Sequence, residues 1–236
     1  MSNVSPTAHG PQVKICGLTR PDEALRCAAW GADAIGLVFF PKSPRNVSID
    51  QARGIVAELP DRVAAVGVFV NADFDTIMAR VDGCGISMAQ LHGRETPELV
   101  DRLRAAGVGV IKGLFIDGEP GIEAADRYAA DAFLVECSKG PLPGGNAMAW
   151  DWGAAREFGR RYPLVLAGGL APANVASAIT DARPAAVDVS SGVEAAPGRK
   201  DTDTVRRFID AVRRSAGVET GACPRVFRPR RDGARG

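Results

Sequence analysis

Gln12-Val13-Lys14-Ile15-Cys16-Gly17-Leu18-Thr19-Arg20-Pro21-Asp22-Glu23 holds the alternation on which the fold rests. Gln12–Cys16 is a short run rich in β-branched residues. Thr19 to Glu23 reads as a helix start: a capping hydroxyl, an early proline and acids in the first turn. The turn between them, Cys16-Gly17-Leu18-Thr19, lacks the G-x-G-x-x-G spacing of a dinucleotide-binding open sheet. The same strand-then-helix unit recurs outward. Further runs stand at Ala34–Phe39, Val63–Val70, Ile86–Leu91, Val108–Phe115, Ala132–Val135, Leu164–Ala167 and Ala186–Val189. Helix starts follow at Ser48 with Gln51 (a capping-box spacing), at Thr96-Pro97-Glu98, more weakly at Ala171–Asn174, and at Asp201. The last helix places Val205, Phe208, Ile209 and Val212 on one face. Gly31, Gly83 and Gly107 stand where helices are expected to stop. Strands that alternate with helices pair in parallel, and both faces of their sheet are covered. Eight such units in about 200 residues predict an α/β fold of one domain, a closed (β/α)₈ TIM barrel. A doubly wound open sheet is the alternative.

The chain has 236 residues, 46% of them hydrophobic, with 29 basic and 28 acidic side chains and a net charge of +1. Such a length buries roughly 70–75% of the extended chain's surface. The near-zero charge gives no reason to expect nucleic acid or membrane as a partner. No window approaches the ~18 apolar residues of a membrane span, and Met1–Gly10 lacks the basic and apolar regions of a secretory signal. Five widely spaced cysteines (16, 27, 84, 137 and 223) without a C-x-x-C pair argue for a reduced, cytoplasmic setting and against a disulfide framework or zinc site. Residues 1–11 read as a flexible extension, residues 12–214 as the barrel and residues 215–236 as an Arg-rich, disordered tail. From Gly217 the tail holds five Arg against two acids, so it contributes +3 and leaves the rest at −2. A polyanion-binding arm is a sharper reading of that tail.

Side chains at the C-terminal ends of barrel strands share one mouth. In order, the exits are Lys14 and Cys16, Phe39–Arg45, Asn71, Gln90 and His92, Lys112, Glu136, Gly168-Gly169, and Asp188 with Ser190-Ser191-Gly192. The two glycine-containing exits, Gly168-Gly169 and Ser190-Ser191-Gly192, suit a phosphate: backbone N–H groups can approach an oxyanion beside a helix start. Cys16 can accept a proton if nearby cations favour its thiolate, and Lys14 lies on the same strand face. Glu136 ends the sixth run in a mostly apolar setting. Such a setting favours a neutral carboxyl, which can serve as a general acid. Arg45 can hold a substrate carboxylate through two hydrogen bonds. A lone histidine such as His92 is more often structural than a base.

Six stretches, taken together, resemble the phosphoribosylanthranilate isomerase family of tryptophan biosynthesis. They are Lys14–Thr19, Ser43-Pro44-Arg45, Val66–Asn71, Gln90–Gly93, Leu166–Leu170 with Asn174, and Asp188–Glu194 through Pro197-Gly198 to Lys200-Asp201. The resemblance runs from Val13 to Arg214. It implies a single barrel without metal or cofactor that binds a small phosphorylated substrate, as a monomer or homodimer. The implied reaction is an Amadori rearrangement of N-(5-phosphoribosyl)anthranilate to the carboxyphenylamino-deoxyribulose phosphate. It further implies that Cys16 is the general base, Glu136 the general acid and Arg45 the anthranilate-carboxylate ligand. Gly168, Gly169, Ser190, Ser191 and Gly192 are then phosphate ligands, with His92 and Asp188 lining the substrate's side of the mouth. Two departures stand out. Glu136 replaces the family's aspartate, moving the carboxyl by about 1.5 Å. Gly144-Gly145-Asn146-Ala147-Met148 stands where the family has G-G-T-G-K. Two other readings stay open. One is a barrel enzyme acting on another sugar phosphate, for which Arg45 would have no task. The other is a non-catalytic barrel that binds a phosphorylated ligand.

Overall fold

The computed structural model describes residues 10–138, 149–215 and 225–228. Eight parallel strands close into a barrel in chain order: β1 (Gln12–Cys16), β2 (Ala34–Val38), β3 (Ala64–Phe69), β4 (Met88–Leu91), β5 (Gly109–Phe115), β6 (Ala132–Glu136), β7 (Leu164–Leu166) and β8 (Ala186–Val189). β8 returns to pair with β1, with Lys14 opposite Asp188, which leaves the sheet no edge. Around it lie α1 (Pro21–Trp30), α2 (Ile49–Glu58), α3 (Phe74–Cys84), α4 (Pro97–Ala105), α5 (Arg156–Arg161), α6 (Val175–Ala182) and α7 (Thr202–Arg214). The strands are buried on both faces, which is why they read as apolar runs rather than alternations.

Most local signals do the work expected of them. Ser48 and Gln51 form a reciprocal capping box at the start of α2, a device worth about 1 kcal/mol. Asp201 caps α7, whose residues Val205, Phe208, Ile209 and Val212 are buried. Others differ. The hydroxyl of Thr19 does not cap α1; it donates to the Gly198 carbonyl at 2.8 Å and ties the first loop to the last. Gly83 lies inside α3, and the left-handed stop falls on Gly85. After β5 the expected helix is a short 3₁₀ turn, Ile122–Arg127.

Period-two alternation divides the core. Val13 and Ile15 face the helices, whereas Ala34, Ala64, Val66, Met88, Ile111, Ala132, Leu134, Val165 and Ala186 fill the barrel. One part of the expected disordered tail proves to be placed. Val226 and Phe227 are buried inside this inner cluster. The rest of the tail, Met1–His9 and the Gly144–Met148 segment lie outside the described residues.

Candidate active site

On the first strand, two inward positions carry ionisable side chains, Lys14 and Cys16. The Lys14 ammonium is completely buried and lies 2.8 Å from Asp188 Oδ1. Cys16 stands one inward position further up the same strand. Gly36, on the neighbouring strand, makes room for both: a Cβ there would lie 2.7 Å from Cys16 Sγ and 3.1 Å from Lys14 Nζ. Burial alone would lower the lysine's pKa, but Asp188 and the thiol together hold it above the ordinary value. Burial pushes the Cys16 thiol up; Lys14 pulls against this and Asp188 adds to it. Burial thus favours the neutral thiol, and the Lys14 ammonium beside it favours the thiolate.

Glu136 ends β6, three strands away around the barrel through β7 and β8. Its Oε1 lies 2.8 Å from His92 Nε2, and Gln90 Nε2 lies 3.2 Å from His92 Nδ1. Phe115 packs edge-on against the imidazole. The carbonyl oxygen Gln90 Oε1 is buried and has no partner among the described residues. Reversing that amide would let Oε1 accept a proton from Nδ1. His92 is thus not isolated: it is the middle of a buried chain that ends on the carboxyl.

Cys16, Gln90, His92 and Glu136 line one cleft, open to solvent, together with Arg45, Asp188, Gly168, Gly169, Ser190, Ser191 and Gly192. The expected base, acid, carboxylate ligand and phosphate loops, with His92 and Asp188, therefore meet in one place. The Arg45 guanidinium is already gripped: Nε and Nη2 donate to the two oxygens of Glu194 at 2.8 and 2.7 Å. That bidentate pair lies within the protein, so a ligand carboxylate would meet Nη1 and the outer hydrogen of Nη2. Lys200 Nζ also holds Glu194, at 2.9 Å, and donates to the Ser190 carbonyl. Burial would raise the Glu194 carboxyl, but Arg45 and Lys200 keep it below the ordinary value. Val38, Phe40 and Val68 form an apolar wall beside Cys16.

Across from that wall lie the glycine loops. Gly168 and Gly169 both have positive φ, 83° and 68°, a conformation other residues avoid. Asn174 donates to the Gly169 carbonyl and accepts from the Ala171 amide, so it shapes the loop that leads into α6. Trp150 and Trp152 donate their indole N–H groups to the carbonyls of Ala167 and Gly168. The amides of Gly169, Ser191 and Gly192 make no hydrogen bond to another described residue. Such a group of unpaired donors suits an anion.

Two strand exits take no part. Lys112 is buried against Glu95 and the carbonyls of Leu91 and Gly93, and Asn71 donates its amide to Glu95 as well. Both belong to a structural network. Sequence reasoning reaches Gln90 only as a strand exit, and it misses Glu194, Lys200 and the two tryptophans as site residues. Glu194 and Lys200 sit in a quoted motif but are partners of Arg45 only in three dimensions. Among the described residues no group of three or more His, Cys, Asp or Glu could hold a metal. No described helix is long and apolar enough to cross a membrane.

The sequence pattern of the family described as N-(5'phosphoribosyl)anthranilate (PRA) isomerase matches residues 13–211. The chain belongs to this family. Similar to it, at 57% identity over 198 residues, is the N-(5'-phosphoribosyl)anthranilate isomerase of Desulfatibacillum aliphaticivorans, with 84% of this chain and 91% of the relative covered. The phosphoribosyl anthranilate isomerase crystal structure from Thermotoga maritima superposes with a TM-score of 0.79 at 42% identity, covering 86% and 98% of the two chains. A crystal structure of such an isomerase in complex with reduced 1-(o-carboxyphenylamino)-1-deoxyribulose 5-phosphate superposes at 0.76, with the same identity and coverage. The isomerase family pattern thus stops before the C-terminal tail.

Proposed function

We propose that this chain catalyses the Amadori rearrangement of N-(5-phosphoribosyl)anthranilate in tryptophan biosynthesis, with Cys16 as general base and Glu136 as general acid. The observation that carries this reading is that thiol and carboxyl line one cleft with two anion-binding features. Arg45 next to the apolar wall of Val38, Phe40 and Val68 suits an aryl carboxylate. The loops at Gly168-Gly169 and Ser190-Ser191-Gly192 suit a phosphate. A substrate held at both ends presents its ribose between them, which is catalysis by positioning.

The chemistry follows in two proton transfers. Glu136 gives a proton to the ribose ring oxygen, the C1–O bond breaks, and an iminium forms between C1 and the anthranilate nitrogen. Cys16 then takes the proton from C2. The C2–H electrons form a C1–C2 double bond and neutralise the nitrogen, giving an enolamine that tautomerises to the ketone. Each transfer is worth roughly 10²–10⁴-fold. The hydrogen-bonded chain Gln90–His92–Glu136 accommodates both states of the carboxyl. With the Gln90 oxygen on Nδ1–H, His92 Nε2 accepts from the neutral acid; with the Gln90 nitrogen on Nδ1, Nε2–H donates to the carboxylate. On the other side, burial favours the thiol, so the base must be formed in the complex. The cationic iminium, with Lys14 and Lys200 nearby, supplies the positive charge that a thiolate needs.

The reading needs only a small phosphorylated ligand, and it places the enzyme in the cytoplasm as a monomer or homodimer. The purified protein should consume N-(5-phosphoribosyl)anthranilate, followed as loss of anthranilate-type fluorescence, and should rescue a tryptophan auxotroph lacking this step. Near-full activity of Cys16→Ala or of Glu136→Gln would remove the corresponding assignment. Turnover of a sugar phosphate that lacks a carboxylate, with none of the anthranilate compound, would replace the substrate.

A further inference from the structure

The N-terminal end of the barrel, opposite the cleft, is filled by the chain's own C-terminus. Val226 and Phe227 are 3% and 1% exposed and pack among Ala34, Ala64, Met88, Ile111, Ala132 and Ala186. Four of these six lining positions are alanine. Small residues on the inner face at the start of four strands leave a hollow, and an aromatic ring is the size of group that fills it. Removing the ring would leave an apolar cavity rather than a solvated mouth.

Recognition is not only apolar. Gln12, itself buried at the head of β1, turns both its amide oxygen and its amide nitrogen to the tail's backbone. Its Oε1 accepts from the amides of Val226 and Phe227 at 2.7 and 2.9 Å, and its Nε2 donates to the Phe227 carbonyl at 3.0 Å. Unpaired, a buried glutamine amide is costly; with the tail in place its oxygen accepts two hydrogen bonds and its nitrogen donates one. At the rim, Arg225 faces Asp33 and Arg228 faces Asp131, at 3.6 and 3.7 Å. Each aspartate is fixed by an amide on its other oxygen, Val13 to Asp33 and Val110 to Asp131. These exposed pairs orient the segment more than they hold it. The tail lies past the residues that the family pattern matches, so the plug is an addition to the shared barrel.

We propose that the floor of the barrel is a peptide-binding site, specific for an aliphatic–aromatic pair flanked by arginines, which the chain keeps occupied in cis by Arg225-Val226-Phe227-Arg228. The plug completes the lower core and takes no part in the reaction at the other end.

The test compares the full chain, Phe227→Ala, Gln12→Ala and a chain ending at Ser215. Phe227→Ala should melt about 5–15 °C lower, as expected for losing a buried ring, with kcat/KM measured well below the transition within about twofold of the parent. The shortened chain should melt at least as low. A capped peptide of residues 224–231 should raise its melting temperature saturably, and the same peptide with alanine in place of Phe227 should not. If shortening prevents folding, Phe227→Ala and Gln12→Ala in the full chain carry the decision. Melting temperatures within about 1 °C of the parent for both would overturn the plug. Equal stabilisation by the two peptides would overturn the recognition. A dimer of the full chain that dissolves on shortening, with a melting point that rises with protein concentration, would overturn occupancy in cis.

Discussion

The two ends of this barrel are built from the same strands and differ in every respect that matters. At the upper end the inward positions are Cys16, His92, Glu136 and Asp188, set among glycines and open to solvent. At the lower end they are Ala34, Ala64, Ala132 and Ala186, covered by Val226 and Phe227. At the upper mouth the buried Gln90 Oε1 lacks a partner among the described residues; at the other mouth the Gln12 oxygen and nitrogen are both engaged by the tail. A closed sheet lets one end give up packing for chemistry because the other end supplies the packing. Substitutions should therefore separate into two classes, one that stops turnover with little loss of stability and one that does the reverse.

The largest effects should come from the upper end. Cys16→Ala and Glu136→Gln should each lower kcat by about 10²–10⁴-fold while the melting temperature stays far closer to the parent's than that of Phe227→Ala. A large loss of stability in either would blur the contrast between the ends. Next in size is Arg45→Lys, which gives up the planar fork. KM for N-(5-phosphoribosyl)anthranilate should rise about 10–100-fold, as for a lost charge-assisted hydrogen bond. Inhibition by inorganic phosphate should be unchanged, because the proposed phosphate site lies at the glycine loops and not at Arg45.

Smaller again is Lys14→Met. The buried thiol already stands above its ordinary value of 9.0. Below that pH, alkylation of Cys16, mapped by mass spectrometry, should be slower than that of free cysteine and should rise as pH increases. Removing the lysine takes away the cation that opposes the upward shift. Alkylation at pH 8 should then be slower still than in the parent. Faster alkylation would show that Lys14 does not favour the thiolate. The smallest effect concerns Glu194, whose folded carboxyl is held below its ordinary value of 4.5. A depressed carboxyl stabilises the fold fully above its unfolded pKa and loses that contribution as pH falls through the folded one. The stability gap between the parent and Glu194→Gln should thus be constant at neutral pH and narrow below about pH 4.5, read by denaturant titration.

What the sequence made legible follows from the distance over which each signal acts. The eight strands were readable because a strand buried on both faces is a continuous apolar run, and β1 and β8 match their expected bounds to the residue. The capping box of α2 was readable because its partners are three residues apart. The 3₁₀ turn after β5 was not, since Ile122–Arg127 carries ordinary helix-forming residues. The gathering of the site candidates in one cleft was legible because strand exits converge in a barrel. The grip of Glu194 on Arg45 was not, because it joins residues 149 apart in sequence. The tail misled for a different reason: a segment average dominated by arginine and glycine conceals one Val-Phe pair, and only the alanines waiting in the barrel give that pair a meaning.

The indole hydrogen bonds of Trp150 and Trp152 have a practical sequel. The chain contains three tryptophans, and two of them rest directly on the loop carrying Gly168. Two intrinsic fluorophores thus stand against the loop proposed to hold phosphate, and a change in their emission on adding inorganic phosphate would report an anion arriving there without a label.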